Sequence, residues 1–223
     1  MAGWSSDNKF ALLGAMRSVA LLISYEVPMI LAVVAIILVA GSMSLREIVA
    51  GQGIPYVLVQ PMGFVIFLLA AAAEVGRTPF DLIEAESEIV AGFHTEYTGM
   101  KFVLFYLSEF VAGLAWSAVI VTLFLSGWRI PFVSADPPLY VAAPLWLIKT
   151  LLVFGILIWF RLTWPRLRVD QILAFSWKVL FPLAILNVLL TAVEVLALQE
   201  LFEVGATESL PVPVLLVMAI INI

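Results

Sequence analysis

Six of the chain's 16 carboxylates, Glu74, Asp81, Glu84, Glu86, Glu88 and Glu96, fall between positions 74 and 96, and Arg77 is the one arginine or lysine among them. Carboxylates at this density share protons, or bind a cation or a basic surface, because like charges held close do not all stay ionised unaided. Further ionisable groups stand inside long apolar runs: Glu26 in Ser24-Tyr25-Glu26, then Glu109, Lys149 and Glu194. Each such group costs several kcal/mol in or near hydrocarbon, so it marks an ion or proton path by default. Glu194 and Lys178 stand near run ends and read as snorkelling groups or single helix contacts. Glu26, Glu109 and Lys149 do not easily reach either surface, and together they suggest a hydrated proton relay. Glu74 with Arg77 on one flank, and Glu96 with Lys101 on the other, carry the charge of the acidic cluster into the neighbouring runs.

The cluster has the marks of a short helix. Thr78-Pro79-Phe80-Asp81 reads as its start, with Thr78 as cap and Pro79 in the first helical position. Gly92 reads as its stop. At ~100° per residue, Asp81, Glu84 and Glu88 share an arc of about 60°, while Glu86 points elsewhere. Glu84 and Glu88 are four apart and repel, so they call for a cation, a shared proton or water. The plain alternative is a solvated acidic loop obeying ordinary capping; the ionisable groups continuing into both flanking runs argue for more. His94 is the only histidine and makes no metal site alone, and the absence of cysteine excludes disulfides, iron–sulfur ligation and thiolate zinc sites within this chain. No phosphate-binding loop is present, and a net charge of −5 is no nucleic-acid signature.

The elements that must position these groups are membrane helices. The 223 residues are 64% hydrophobic and 12% charged, about half the charge of a soluble domain. Runs of about 20 apolar residues match a hydrocarbon core of about 30 Å. The fold class is therefore an all-α integral membrane bundle of tilted helices, one domain over 1–223. It has about five full spans, at 11–40, 54–76, 99–126, 139–160 and 172–199, and a partial sixth at 211–223. The first run exceeds one crossing and is expected to tilt or to kink at Pro28. Lys9, Arg17, Arg77, Lys101, Arg161, Arg166, Arg168 and Lys178 collect on one side, against Arg46 and Arg129 on the other. That asymmetry puts the acidic loop, 77–98, on the cytoplasmic side. Trp128, Trp146, Trp159 and Trp164 near span ends read as an interfacial belt, and Gly14, Gly63 and Gly113 as sites of close helix packing.

The run Glu74-x-x-Arg77-Thr-Pro-Phe-Asp81-Leu-x-Glu84-Ala-Glu86-Ser-Glu88-x-Val-Ala-Gly92-Phe-x-x-Glu96-Tyr97, followed by Gly99-Met-Lys101-Phe, closely resembles the H-type membrane component of bacterial NADH:quinone oxidoreductase, respiratory complex I. Its mitochondrial counterpart is the first membrane component of NADH dehydrogenase. Gly3-Trp4, Ser24-Tyr25-Glu26, Arg166-x-Arg168-x-Asp170-Gln171 and Trp177-Lys178 extend the match over about 2–200. The resemblance implies a membrane subunit that forms part of the quinone-access cavity and couples quinone reduction to proton translocation, catalytic only within the assembly. It assigns Arg77, Asp81, Glu84, Glu86, Glu88 and Glu96 to the quinone site and coupling loop, and Glu26, Glu74 and Glu109 to the inner acidic route, which Lys149 joins as a buried lysine. It implies quinone as substrate, no cofactor on this chain, and NADH, flavin and iron–sulfur clusters in partner subunits. The implied partners are peripheral quinone-module subunits, antiporter-like membrane subunits and the lipid bilayer, with no nucleic acid. The implied location is the inner (plasma) membrane of a bacterium. Relative to the family pattern, three N-terminal helices are expected before Met1. Two other readings compete: the membrane anchor of an energy-converting hydrogenase or ferredoxin-linked relative, and a stand-alone proton-coupled transporter.

Overall fold

Hydrocarbon offers no hydrogen-bond partner to a peptide group, so apolar runs of this length satisfy their backbone by folding as helices. The computed structural model describes residues 2–76, 80, 97–130, 137–165, 167–202 and 210–222, and among them there is no strand. After a short α1 (Ala2–Ser5), α2 runs from Lys9 to Ala40. The Asn8 side chain caps it by accepting from the Phe10 N–H at 3.0 Å. Gly41 closes it at φ 68°, a conformation that favours glycine, with its N–H on the Ile37 carbonyl. At 1.5 Å per residue α2 is about 48 Å long, so it must lie tilted in a core of about 30 Å. It passes through Pro28 as one helix.

The second apolar run is not one helix. After α3 (Leu45–Gly51), the chain forms a single turn, α4 (Tyr56–Val59), breaks at Gln60, and resumes as α5 (Pro61–Glu74). The cause is Pro61, which has no N–H to donate and drives the residue before it out of the helical region; Gln60 stands at φ −134°, ψ 67°. α6 (Met100–Phe124) and α7 (Leu139–Thr163) follow. The next stretch combines α8 (Val169–Phe175), a π-helical turn over Ser176–Leu180, and α9 (Phe181–Phe202). The wide turn stands immediately before Pro182, whose missing N–H relaxes the ladder there. α10 (Val212–Asn222) packs on α4. α2, α6, α7 and the 169–202 stretch are long and apolar enough to cross a membrane, while α5 and α10 are shorter apolar helices. The result is a multi-pass, all-α membrane bundle.

α2 stands at the centre, with α5 on one side and α9 on another, and α6 pairs with α7. Small residues let the backbones close up: Ala32 and Ala35 on α2, and Ala70, Ala71 and Ala73 on α5, are fully buried. Phe67 of α5 meets Trp116 and Phe124 of α6, which ties the two groups together. Gly113 lets α6 and α7 approach; a Cβ there would stand 2.9 Å from the Phe154 ring. The outer faces carry exposed Leu and Ile, such as Leu147, Ile148, Leu151 and Leu152 on α7, as lipid contact requires.

Candidate functional site

Two carboxylates from within the helices, Glu26 and Glu74, meet at the C-terminal turn of α5. Glu74 is the last residue of α5 and is half-buried. Its Oε2 is buried and accepts no hydrogen bond from the described residues. Glu26 projects from α2, the helix packed most extensively on α5, and lies close enough for the two carboxylates to repel. Glu109 stands on α6. It is one turn before Gly113, whose face of the helix touches Val75, the residue after Glu74. Glu26 and Glu74 thus meet at one helix end, with Glu109 on the neighbouring α6. Glu109 is part-buried and engaged by a neighbour, while Glu26 is exposed on this chain's surface although it lies well inside α2.

The backbone beside Glu26 is fixed from outside α2. The Tyr25 hydroxyl donates to the Ile172 carbonyl of α8 at 3.1 Å. Trp177 Nε1 in the π-helical turn donates to Ser24 Oγ at 3.1 Å, and Ser176 Oγ donates to the Ser24 carbonyl. Phe80 belongs to the acidic loop and packs edge-on against Tyr25, with ring centres 5.2 Å apart, and is buried. Phe80 is therefore held next to Ser24-Tyr25-Glu26. The other loop residues named from the sequence, Arg77, Asp81, Glu84, Glu86, Glu88 and Glu96, lie outside the described residues, as does His94.

Lys149 is set apart from this group. Its ammonium donates to three backbone carbonyls, Leu125 at 2.8 Å, Gly127 at 3.0 Å and Arg129 at 2.7 Å. It thereby caps the far end of α6, where the last carbonyls have no intrahelical partner. Gln52 completes that cap: its Nε2 donates to the Thr122 and Leu123 carbonyls, and its Oε1 accepts from the Ser126 N–H at 2.6 Å. Ser126, at φ 59°, holds a left-handed conformation that costs a non-glycine residue about 1–2 kcal/mol, which these bonds offset. All three donors of Lys149 are taken by carbonyls, so the geometry is that of a staple.

Sequence reasoning weighed the charged groups and passed over the residues that set them in place. Tyr25 and Phe80 had a signal in their motifs, where each directly precedes an acidic residue. Gln52 and Gln60 had one too, as amides beside or inside an apolar run. The reach of Lys149 to the end of another helix had none.

Residues 1–192 match the family described as NADH dehydrogenase. The chain is 54% identical over 202 residues to the H-type component of NADH-quinone oxidoreductase from Dehalococcoides mccartyi (strain CBDB1), covering 90% of this chain and 55% of that protein. It is 49% identical over 203 residues to the protein of the same name from Bacillus thuringiensis (strain Al Hakam), covering 90% of this chain and 58% of the relative. The chain thus spans little more than half the length of these curated relatives.

Proposed function

We propose, from the premise that this chain belongs to the NADH dehydrogenase family, that it is a membrane subunit of a proton-pumping NADH:quinone oxidoreductase. Within that assembly it forms part of the quinone-access cavity and couples quinone reduction to proton translocation. It is not catalytic alone. The described helices act as one membrane domain over 1–223. The relatives carry the quinone-reductase name, which favours this reading over a hydrogenase anchor or a free-standing carrier.

The observation that carries the reading is the meeting of Glu26 and Glu74 at the C-terminal end of α5. Glu74 and Glu26 repel each other, and one oxygen of Glu74 is buried without a donor among the described residues. A carboxylate placed beside a like charge responds to any further change of charge nearby. Glu26 is exposed well inside α2, where lipid tails would be a costly neighbour. That face therefore suits a hydrated cavity wall or a contact with another subunit. The relatives' remaining length is one source of such a cover.

Arg77, Asp81, Glu84, Glu86, Glu88 and Glu96 form the quinone-site and coupling loop in this reading, with Arg77 holding the carboxylates ionised until the headgroup changes charge. Phe80 anchors the loop to Tyr25, so a shift in the loop is felt beside Glu26. The apolar spans receive the isoprenoid tail. NADH, flavin and iron–sulfur clusters belong to peripheral partner subunits, antiporter-like subunits receive the coupling, and the assembly resides in a bacterial inner membrane. Lys149 serves as the α6 staple and not as a relay member. The test is NADH:quinone activity of the assembled complex carrying Arg77→Ala with Asp81→Asn. Normal assembly with a large loss of quinone-dependent turnover is expected. Undiminished turnover would remove the loop from the mechanism.

A further inference from the structure

A second polar cluster lies at the break between α4 and α5, away from the acidic end. Gln60 is 4% exposed and Asn187 of α9 is 6% exposed, yet Gln60 Oε1 and Asn187 Nδ2 are buried without hydrogen-bond partners among the described residues. Both atoms stand over the Cβ-less face of Gly63, where a Cβ would lie 3.2 Å from Asn187 Nδ2 and 3.4 Å from Gln60 Oε1. The orientation of the Gln60 amide is fixed by its surroundings. The Thr191 hydroxyl spends its only proton on the Asn187 carbonyl at 2.7 Å, so it accepts from Gln60 Nε2 at 3.1 Å. The Ala35 carbonyl also accepts from Nε2, at 3.2 Å. With both N–H groups committed there, Oε1 is left facing Gly63.

A buried polar atom left unpaired costs about 1–3 kcal/mol, and two such atoms converge here. We propose that the α4–α5 break is a water-binding site, in which one buried water donates to Gln60 Oε1 and accepts from Asn187 Nδ2 over the Cβ-less face of Gly63. Turning the Asn187 amide over would present a second acceptor, and a water donating both its hydrogens would serve that arrangement as well. The site belongs to a polar seam. Thr191 continues it along α9, and one turn further Glu194 Oε2 accepts from Asn222 Nδ2 at 3.1 Å. The same Asn222 amide donates at 2.9 Å to the carbonyl of Val59, the residue before Gln60. The seam thus returns to the broken helix and supplies a carbonyl that the break leaves unbonded, as an apolar surrounding demands. This site goes beyond the quinone reading and does not depend on it.

Water-edited solid-state NMR of the full chain in lipid nanodiscs, with Asn and Gln side-chain amides labelled with 15N, tests the proposal. Gln52 is the internal reference, a buried amide whose three bonds all go to backbone groups. The Asn187 amide is expected to gain signal from water protons clearly faster than Gln52, and Gly63→Ala is expected to abolish that gain by filling the volume. An Asn187 signal as slow as that of Gln52 in the unmodified chain would overturn the proposal, since the two amides would then pair directly. So would a rapid gain that persists in a folded Gly63→Ala chain, which would put the water elsewhere. If Gly63→Ala fails to fold, the comparison of Asn187 with Gln52 in the unmodified chain still decides.

Discussion

The C-terminal ends of α5 and α6 solve the same problem in opposite ways. Both are helix ends in an apolar bundle, where the last carbonyls and any charge nearby need partners. At the end of α6, Lys149 and Gln52 bring five donors to five carbonyls and accept the Ser126 N–H. At the end of α5, two carboxylates repel and a buried oxygen of Glu74 goes unbonded among the described residues. The first arrangement satisfies its carbonyls, leaving the Ser126 hydroxyl without a partner among the described residues, and fixes geometry. The second leaves a deficit that a proton, a water or a cation removes, which is what a relay needs and a scaffold avoids. An ionisable residue within a span is therefore not functional by type alone; what its polar atoms already hold decides.

The largest effect on stability should come from the capped end of α6. Lys149→Met keeps the apolar stem but strips a donor from each of three carbonyls, at a cost of roughly 3 kcal/mol or more. Thermal unfolding and native gels should show a destabilised chain and less assembled complex, with turnover per assembled complex close to normal. Normal assembly with depressed pumping would return Lys149 to the relay. A smaller effect is expected from Phe80→Ala, which removes the ring packed on Tyr25, an aromatic pair worth about 1 kcal/mol beyond its burial. Quinone-dependent turnover should fall several-fold while NADH oxidation with a hydrophilic acceptor persists; equal loss of both would mean that the ring serves general folding. The smallest change should have the opposite sign. Glu74→Gln removes one of two repelling charges and is expected to leave stability unchanged or raise it by about 1 kcal/mol. A clear drop in the unfolding midpoint would mean that Glu74 has a structural partner and that the two helix ends are alike.

Much of the fold was legible because membrane helices are specified by run length and apolarity, both properties of the chain itself. The break at Gln60 escaped because one amide and one proline barely lower the apolarity of a long run, although Pro61 carried the signal. Glu26, Glu74 and Glu109 could be singled out by the cost of placing them in hydrocarbon, but the meeting of Glu26 with Glu74 depends on how α2 and α5 pack. Lys149 met the same criterion and went to a different place. Its stem reaches the carbonyls after α6, a destination that spacing along one helix does not encode. The acidic loop is legible as a motif, and its Phe80 packs on Tyr25.

The central claim is that Glu26 and Glu74 act together in proton translocation. Proton pumping by the assembled complex in proteoliposomes, compared for Glu26→Gln, Glu74→Gln and the double variant, tests it most directly. Gln keeps the shape and hydrogen bonding while removing the ionisable group. Each single variant should assemble in normal amounts and pump poorly, and the double should be little worse than either, because members of a coupled pair do not contribute additively. Glu26→Asp, which keeps a carboxylate, should be milder than Glu26→Gln. Full pumping by a normally assembled complex with Gln at both positions would contradict the account.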